Sequence, residues 1–479
     1  MPRPHPFAFA AAVRPPARRW LGVALALALA GCASGQRPQV PSLALPPVYD
    51  AAGRAQLPPA ALDAWWRGFD DAQLQALVER ALDAGVDARL ALARLDEARA
   101  IRGQALSAYA PQGALRASAE RTRSRDLDDG PDPADERVRS ASLPVSWELD
   151  LFGRRAAARS AADADLAAAR FQYEAARAAV AAKVAQTLFE ARGLAARLDD
   201  ARENERIQGA LAELLRRRVE RGLAAAADGD RVGAELARSQ AERLALQAEL
   251  DAARRALLVL SGDAFAPAAA LPLSAELGAA PEVPATLPGD LLNRRPDVRQ
   301  AQARIRAAAG AVRLAELDFF PKLTLQATPG VSWQRGALDA SRSFWTLGAG
   351  LAVPVLDRPR LLAALDLQGA RGQQAALGYE QAVQAAFAEA DQALLRLAAA
   401  RKRAHTLDDG EIRARRAFDA AQVRFQRGLG DLQALLDAEA AWRATRSART
   451  AARLDALLGA VQACKALGGG WSATAPGDA

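Results

Sequence analysis

The chain is written twice. Asp87-Ala88-Arg89 recurs as Asp297-Val298-Arg299, and Tyr109-Ala110-Pro111 as Phe319-Phe320-Pro321, both at an offset of 210 residues. Arg154 recurs as Arg360, Tyr173-Glu174 as Tyr379-Glu380 and Arg221-Gly222-Leu223 as Arg427-Gly428-Leu429, all at 206, with Glu235 and Glu439 at 204. The matches keep their order and the offset drifts by a few residues, as a duplicated structural unit allows. Whatever one half folds into, the other must fold into as well.

Each half opens with a helical stretch, at about 70–109 and about 289–318, and then loses helical periodicity. Strands are expected at about 111–123 and 139–151, where Leu115, Ala117 and Ala119 alternate with Arg116, Ser118 and Glu120. The second half repeats them at about 322–333 and 343–355, with Leu323, Leu325, Ala327 and then Trp345, Leu347, Ala349, Leu351 and Val353 in alternate positions. The polar stretches 124–131 and 334–342 read as loops between the strands. A long helix follows each strand pair, from about Arg154 to Arg221 and from Arg360 to Arg427; Val180, Val184, Leu188 and Ala191 recur at three- or four-residue spacing. Such a helix is about 100 Å long. It needs partners along its length, so a coiled-coil-like barrel is expected. Gly222 and Gly428 stop the two helices, and return helices run to near Leu260 and Leu467.

Strands of about ten residues match what a tilted strand needs to cross a bilayer. Four cannot close a barrel, and open edges are not tolerated in lipid. Three copies would supply twelve strands, within the range of membrane barrels. The expected fold is therefore mainly α with membrane β: a trimeric twelve-strand barrel, four strands per chain, continuous with a long α-helical barrel.

The N-terminus reads as an export signal. Arg3, Arg14, Arg18 and Arg19 precede the uncharged stretch from Trp20 to Ala30, which is too short to span a bilayer. It ends in Leu29-Ala30-Gly31-Cys32, which resembles the lipobox of bacterial lipoproteins; Cys32 is the residue expected to carry lipid, with outer-membrane sorting because Ala33 replaces the retaining aspartate. Of the formal charge of +7, four arginines leave with the signal. The remaining basic residues alternate with acids along helical faces, so nucleic acid is not an expected partner. Beyond Cys32 and His5 only Cys464 and His405 remain, too few for a zinc or copper ligand set. No cofactor or metal is expected. The expected organisation is a signal at 1–31, a lipidated extended segment at 32–64, repeats at 65–270 and 289–471 joined by a linker at 271–288, and a tail at 472–479.

Several motifs occur in fixed order: Trp65-Trp66 with Phe69-Asp70-Asp71, Trp147-Glu148-Leu149-Asp150-Leu151-Phe152-Gly153-Arg154, Arg294-Arg295-Pro296-Asp297-Val298, Leu435-Leu436-Asp437-Ala438-Glu439 and Ala466-Leu467-Gly468-Gly469-Gly470-Trp471. Together they resemble the outer-membrane efflux protein family, the TolC-like outer-membrane factors, and within it the lipid-anchored NodT-type subgroup. The resemblance implies a homotrimeric exit duct that docks onto a periplasmic adaptor and an inner-membrane pump, often of the resistance-nodulation-division type, which supplies the energy. It also places a periplasmic constriction near the second-half hairpin. Carried over, the family's Arg-Tyr-x-x-Gly stretch gives Arg424 and Phe425, and Leu-Leu-Asp gives Asp437, with Gln433 one turn before it. Arg424 with Asp437, across the hairpin or between chains, is the expected latch. The turns Arg221, Gly222, Leu223 and Arg427, Gly428, Leu429, Gly430 are the expected adaptor contacts, and Trp147, Trp333 and Trp345 the expected lipid-interface aromatics. Two departures stand out. Leu356-Asp357-Arg358-Pro359-Arg360 replaces the family's glycine-containing turn, and the first-half hairpin turn reads as two residues longer than its repeat. A periplasmic adaptor or scaffolding coiled-coil lipoprotein without a pore is the alternative. An enzyme would need a nucleophile-base set, and only Glu148 and Asp150 pose as paired carboxylates.

Overall fold

The structure is a computed structural model that describes residues 37–50, 59–124, 134–283, 286–336 and 339–472. The signal, Cys32 and residues 473–479 of the tail lie outside them. Seven helices of at least three turns are described: α1 (Ala72–Ala84), α2 (Val86–Ser107), α3 (Arg154–Glu220), α4 (Ala226–Leu260), α5 (Pro296–Leu317), α6 (Arg358–Gln426) and α7 (Leu432–Ala466). The strands are β1 (Gln112–Gly113), β2 (Arg116–Ser124), β3 (Ala134–Ser142), β4 (Val145–Leu149), β5 (Lys322–Arg335) and β6 (Ala340–Ala352). The expected single helix at 70–109 is broken at Gly85, where the backbone turns extended (ψ 138°) between α1 and α2. Among the described residues no helix is long and apolar enough to cross a membrane.

The chain forms two compact units. The first holds the sheet, with residues 102–163 and 306–374. All its strand pairs are antiparallel. β1 with β2, and β3 with β4, are each one strand interrupted, because a single register runs through both pieces: Gly113 faces Val145 and Arg116 faces Ser142. The interruption has a cause. Leu143 donates its N–H to the Pro329 carbonyl at 2.9 Å, so the next residue, Pro144, would have to donate toward the first strand and has no N–H to give. The result is a four-strand meander. Among the described residues the first strand (β1–β2) pairs only with the second, and β6 only with β5, so both outer edges are unpaired there.

The second strand begins at Ala134, five residues before the expected start, because Asp135-Glu136-Arg137 reads as loop by composition. Its charges are tolerated on an exposed surface, and Asp135 receives Arg121 through two bonds of 2.8 and 2.6 Å. β6 ends at Ala352, short of the expected 355, since Pro354 cannot continue the ladder.

At the end of the sheet where α3 starts, Asp150 accepts from the backbone N–H of Arg154 (2.6 Å) and Arg155 (3.2 Å), capping the helix. The Arg154 guanidinium pairs with Glu148 at 3.2 Å and Asp318 at 2.7 Å. The two carboxylates of Glu148 and Asp150 are therefore a helix cap and an ion-pair partner. Pro359 sits in the first turn of α6, where Leu361 N donates to Asp357 O at 3.0 Å; the atypical turn starts the helix without loss of a bond that proline could have made. Arg37 pairs with Glu316 at 2.8 Å in this unit.

The second unit comprises residues 40–101, 164–305 and 375–479, of which 51–58, 284–285 and 473–479 are not described. Its core mixes large side chains such as Leu188, Leu257 and Leu457 with small ones: Ala181, Ala185 and Ala191 of α3, Ala386 and Ala390 of α6 and Ala460 and Ala463 of α7 are fully buried. Small contact residues let helix axes approach closely. Residues 40–50 lie along this core as a strap, with Tyr49 stacked on Phe387 at 5.9 Å and the Asp50 N–H donated to Asp391 Oδ1 at 2.9 Å. The C-terminal motif closes it. Gly468 has φ +80°, and a Cβ there would lie 2.5 Å from the Arg294 carbonyl oxygen. Gly470 N donates to Leu62 O, and Trp471 Nε1 to Arg294 O, both at 2.9 Å.

Arg295, whose side chain is almost wholly covered, donates to both Asp297 oxygens (2.9 and 2.7 Å), to Glu389 Oε2 (2.8 Å) and to the Ala466 carbonyl (2.9 Å). It ties the start of α5 to α6 and the end of α7. Loss of the Arg295 guanidinium strips hydrogen bonds from two partly exposed carboxylates and one carbonyl, at a cost of about 1.5–3 kcal/mol. Arg295→Ala is expected to lose that much stability in thermal or denaturant unfolding of the purified protein, whereas Arg403→Ala, whose pair with Asp455 is half-exposed, is expected to change it by less than about 1 kcal/mol.

Candidate functional site: the hairpin ends and the two faces of the sheet

The two helical hairpins end identically. Gly222 and Gly428 take φ +70° and +72°. Leu223 N donates to Arg218 O and Leu429 N to Arg424 O, each at 2.8 Å, which closes the same glycine-capped turn on both helices. Each return helix restarts four residues after its glycine, at Ala226 and Leu432, so the first turn is not two residues longer than its repeat. The two return helices keep the 206 offset to their ends, Leu260 and Ala466. The starts differ chemically: Asp431 caps α7 by accepting from Ala434 N at 2.7 Å, while Ala225 offers no side-chain cap to α4. Leu223 and Leu429 stand exposed at the two tips, as do Arg221 and Arg427; Gly430 is half-buried against Arg424.

The residues expected at the constriction divide into two groups. Gln433 and Asp437 are exposed one turn apart on α7, and Gln433 Nε2 donates to Asp437 Oδ1 at 2.7 Å. Arg231 of α4 donates to Gln433 Oε1 at 2.7 Å and completes a chain of three polar side chains. Arg424 is exposed on α6, its guanidinium 3.5 Å from the Leu429 carbonyl, and it makes no ion pair with Asp437 within one chain. Phe425 is turned inward, 5% exposed, packed with Leu215, Val232, Phe418, Leu435 and Trp442, with Arg218 over its ring at 4.8 Å. Sequence reasoning missed Arg231 and Arg218, although the duplication pointed to both. At the 206 offset Arg231 is the counterpart of Asp437, and Arg218 that of Arg424.

Behind this surface lies a buried polar cluster. Gln208 of α3 donates to Glu439 Oε2 at 2.7 Å, and Arg443 pairs with Glu439 at 3.3 Å. Asn204, with its amide turned to suit both neighbours, donates to Glu439 Oε1 (2.8 Å) and accepts from Arg443 (3.0 Å). Burial pushes the Glu439 carboxyl above the usual carboxylate range, against the pull of Arg443 and Gln208. Elsewhere the Cys464 thiol, buried in α7, is pushed up to about 12 by the same effect and is no nucleophile. Among the described residues no group of three histidine, cysteine or carboxylate side chains could hold a metal ion.

The sheet has two chemically distinct faces. Cross-strand partners share a face, so the register assigns every residue. One face carries Leu149, Leu323 and Leu351 in a row, then Trp147, Leu325 and Ala349, then Val145, Ala327 and Leu347, then Leu143, Pro329 and Trp345, then Ala117, Ala141 and Val331. The other carries Glu148 and Thr324, Ser146 and Gln326, Ser118, Ser140 and Ser332, and Glu120 and Gln334. Leu347, Leu351 and Trp345 are 70%, 64% and 78% exposed, so the apolar face has no partner within the chain. Trp147 and Trp333 stand eight residues apart by register, near the two ends of the apolar rows, and Trp345 stands among them. Eight residues on a tilted strand rise by about 20 Å, close to the height of a membrane barrel's apolar band.

The family model described as "Outer membrane efflux protein" matches residues 77–263 and 287–469, one segment in each repeat. The pyoverdine export outer membrane protein OpmQ of Pseudomonas aeruginosa is 30% identical over 468 residues, covering 95% of this chain and 97% of that protein. The solved outer-membrane channel OprN superposes with a TM-score of 0.77 at 29% identity, covering 90% of this chain and 99% of that one. The CmeC outer membrane channel of Campylobacter jejuni, at 20% identity, shares the fold with a TM-score of 0.82 over 92% and 96% of the two chains.

A carboxyl whose pKa is raised by folding contributes most below its unfolded value and loses that contribution as pH rises through the folded value. Glu439→Gln removes this loss. The variant is expected to show a flatter fall in Tm from pH 5 to pH 8 than the wild type, the difference in stability being about 1.4 kcal/mol for each unit by which burial raises the group. Parallel pH profiles for the two proteins would show that Glu439 ionises in the fold as it does in the unfolded chain.

Proposed function

The chain belongs to the outer membrane efflux protein family and serves as an outer-membrane efflux channel; from that premise we propose that three copies close the barrel and that the second-half hairpin gates it. The observation that carries the reading is the four-strand meander with two unpaired edges and one apolar face. In lipid the outer edge of β2 must find a partner, and the outer edge of β6 of another copy offers one of matching length. Repeating that contact three times satisfies every edge, turns the apolar face to the hydrocarbon and leaves the serine-, threonine- and glutamine-rich face around a water-filled lumen. The duct is passive, and an inner-membrane pump, of the resistance-nodulation-division type, delivers small molecules to it through a periplasmic adaptor. The exposed leucines 223 and 429 on their glycine turns suit the apolar centre of an adaptor contact. Cys32 anchors the mature N-terminus in lipid.

The gate follows from which groups have spare bonding capacity. Asp437 holds one hydrogen bond from Gln433, and Arg424 only a long one to a carbonyl, so each can meet its opposite charge on a neighbouring copy near the axis. Three such pairs shut the tip, and adaptor docking shifts the hairpins to an open arrangement.

Single-channel conductance of the mature protein in a planar bilayer tests both parts. Wild type is expected to be mostly shut. Asp437→Ala is expected to raise the open probability about tenfold if the latch contributes about 1.4 kcal/mol to the shut state. An unchanged, mostly shut channel in the variant removes Asp437 from the gate. Absence of conductance from folded, inserted protein in both forms would favour a scaffold without a pore.

A further inference from the structure

Beyond Trp333, the outward face of the sheet changes abruptly from apolar to basic. The row containing Trp333 also holds Arg139; the next holds Arg121, Arg137 and Arg335; the one after it holds Arg123 opposite Asp135. Five arginines and one acid thus share one exposed face within three rows, a net charge of +4. The opposite face of the same strand ends has no basic excess, carrying Arg342 against Glu120 and Glu136. At the other end of the apolar rows the outward residues are leucines 149, 323 and 351, with no basic row beside them. The excess is therefore specific to one face and one end. Asp135 occupies Arg121 and lies 3.6 Å from Arg137, while Arg123, Arg139 and Arg335 form no ion pair with any described residue.

The placement selects the ligand. Arginines that recognised cargo would face the lumen, and arginines that merely kept loops soluble would need no fixed level beside an interfacial tryptophan. These stand on paired strands, in neighbouring rows about 5–7 Å apart, where two guanidinium groups can grip one phosphate in bidentate fashion. They lie at the end of the sheet remote from the helices, which under the function proposed above is the cell-exterior end of the barrel.

We propose that Arg121, Arg123, Arg137, Arg139 and Arg335 form an outward-facing site for the phosphate groups of a phosphorylated glycolipid in the outer leaflet. The site occurs once per chain. It anchors the barrel from the outer leaflet by charge, complementing the acyl anchor proposed at Cys32, and it rests on the outer-membrane reading.

The probe is lipopolysaccharide carrying its lipid A phosphates, compared with the same material dephosphorylated. Protein in detergent is loaded with each, washed by detergent exchange, and the retained lipid is measured by native mass spectrometry. Wild type is expected to keep the phosphorylated form at least fivefold better than the dephosphorylated one, with millimolar inorganic phosphate failing to displace it. Arg137→Gln/Arg139→Gln/Arg335→Gln is expected to lose that excess, and Arg116→Gln/Arg342→Gln on the lumen face to keep it. Equal retention of both lipids by wild type overturns the proposal without reference to any variant, as does full retention by the triple variant. Displacement by inorganic phosphate would show a phosphate site that does not select lipid and would overturn it too. Conductance recorded on the same preparations separates the two readings, since equal retention of the two lipids by a wild-type protein that still conducts sinks this site alone.

Discussion

A β-strand with a free edge carries a row of N–H and C=O groups that must be bonded to something. In water the solvent serves; in hydrocarbon each unpaired group costs several kcal/mol. The first strand and β6 have such edges, and the face between them is apolar. One chain is therefore incomplete in a strict physical sense. Leu377 and Leu395 of α6 are likewise exposed in the single chain.

The helical unit is not uniform along its sequence. Where α3, α6 and α7 meet around Ala185, Ala386 and Ala460, the contacts are alanines and the packing is close. Partway to the hairpin turns a buried polar network, Asn204, Gln208 and Glu439 bonded together and to Arg443, adjoins the apolar cluster of Leu215, Val232, Phe418, Phe425, Leu435 and Trp442. A buried polar network fixes one arrangement through directional bonds yet adds less net stability than apolar packing.

Much of this was legible in the residues. The long helices declared themselves by periodicity and by the glycines that stop them, and the ends fell within two residues of expectation. The strands were visible through alternation, but their limits were not. Asp135-Glu136-Arg137 looks like loop because charge in a strand makes sense only once one knows that the position faces outward beyond the apolar rows. The break at Gly85 was hidden by periodic residues on either side. The hairpin cluster was half legible: Asp437 and Gln433 stood in a familiar motif, while Arg231 became meaningful only when the return helices were seen to start in phase. Phe425 shows the limit of carrying over a position, since its ring is spent on the chain's own core, under Arg218.

The strap at residues 40–50 has a consequence for how the molecule is made. Tyr49 and Asp50 stand early in the chain, yet their partners, Phe387 and Asp391, lie more than three hundred residues later. Gly470 closes onto Leu62 from the opposite direction. The beginning of the chain thus has no native place to dock until nearly all of the rest has been exported. Contacts of such sequence separation form late and slowly, so the strap is among the last parts of the fold to be fixed, and its docking reports that the last helix has arrived.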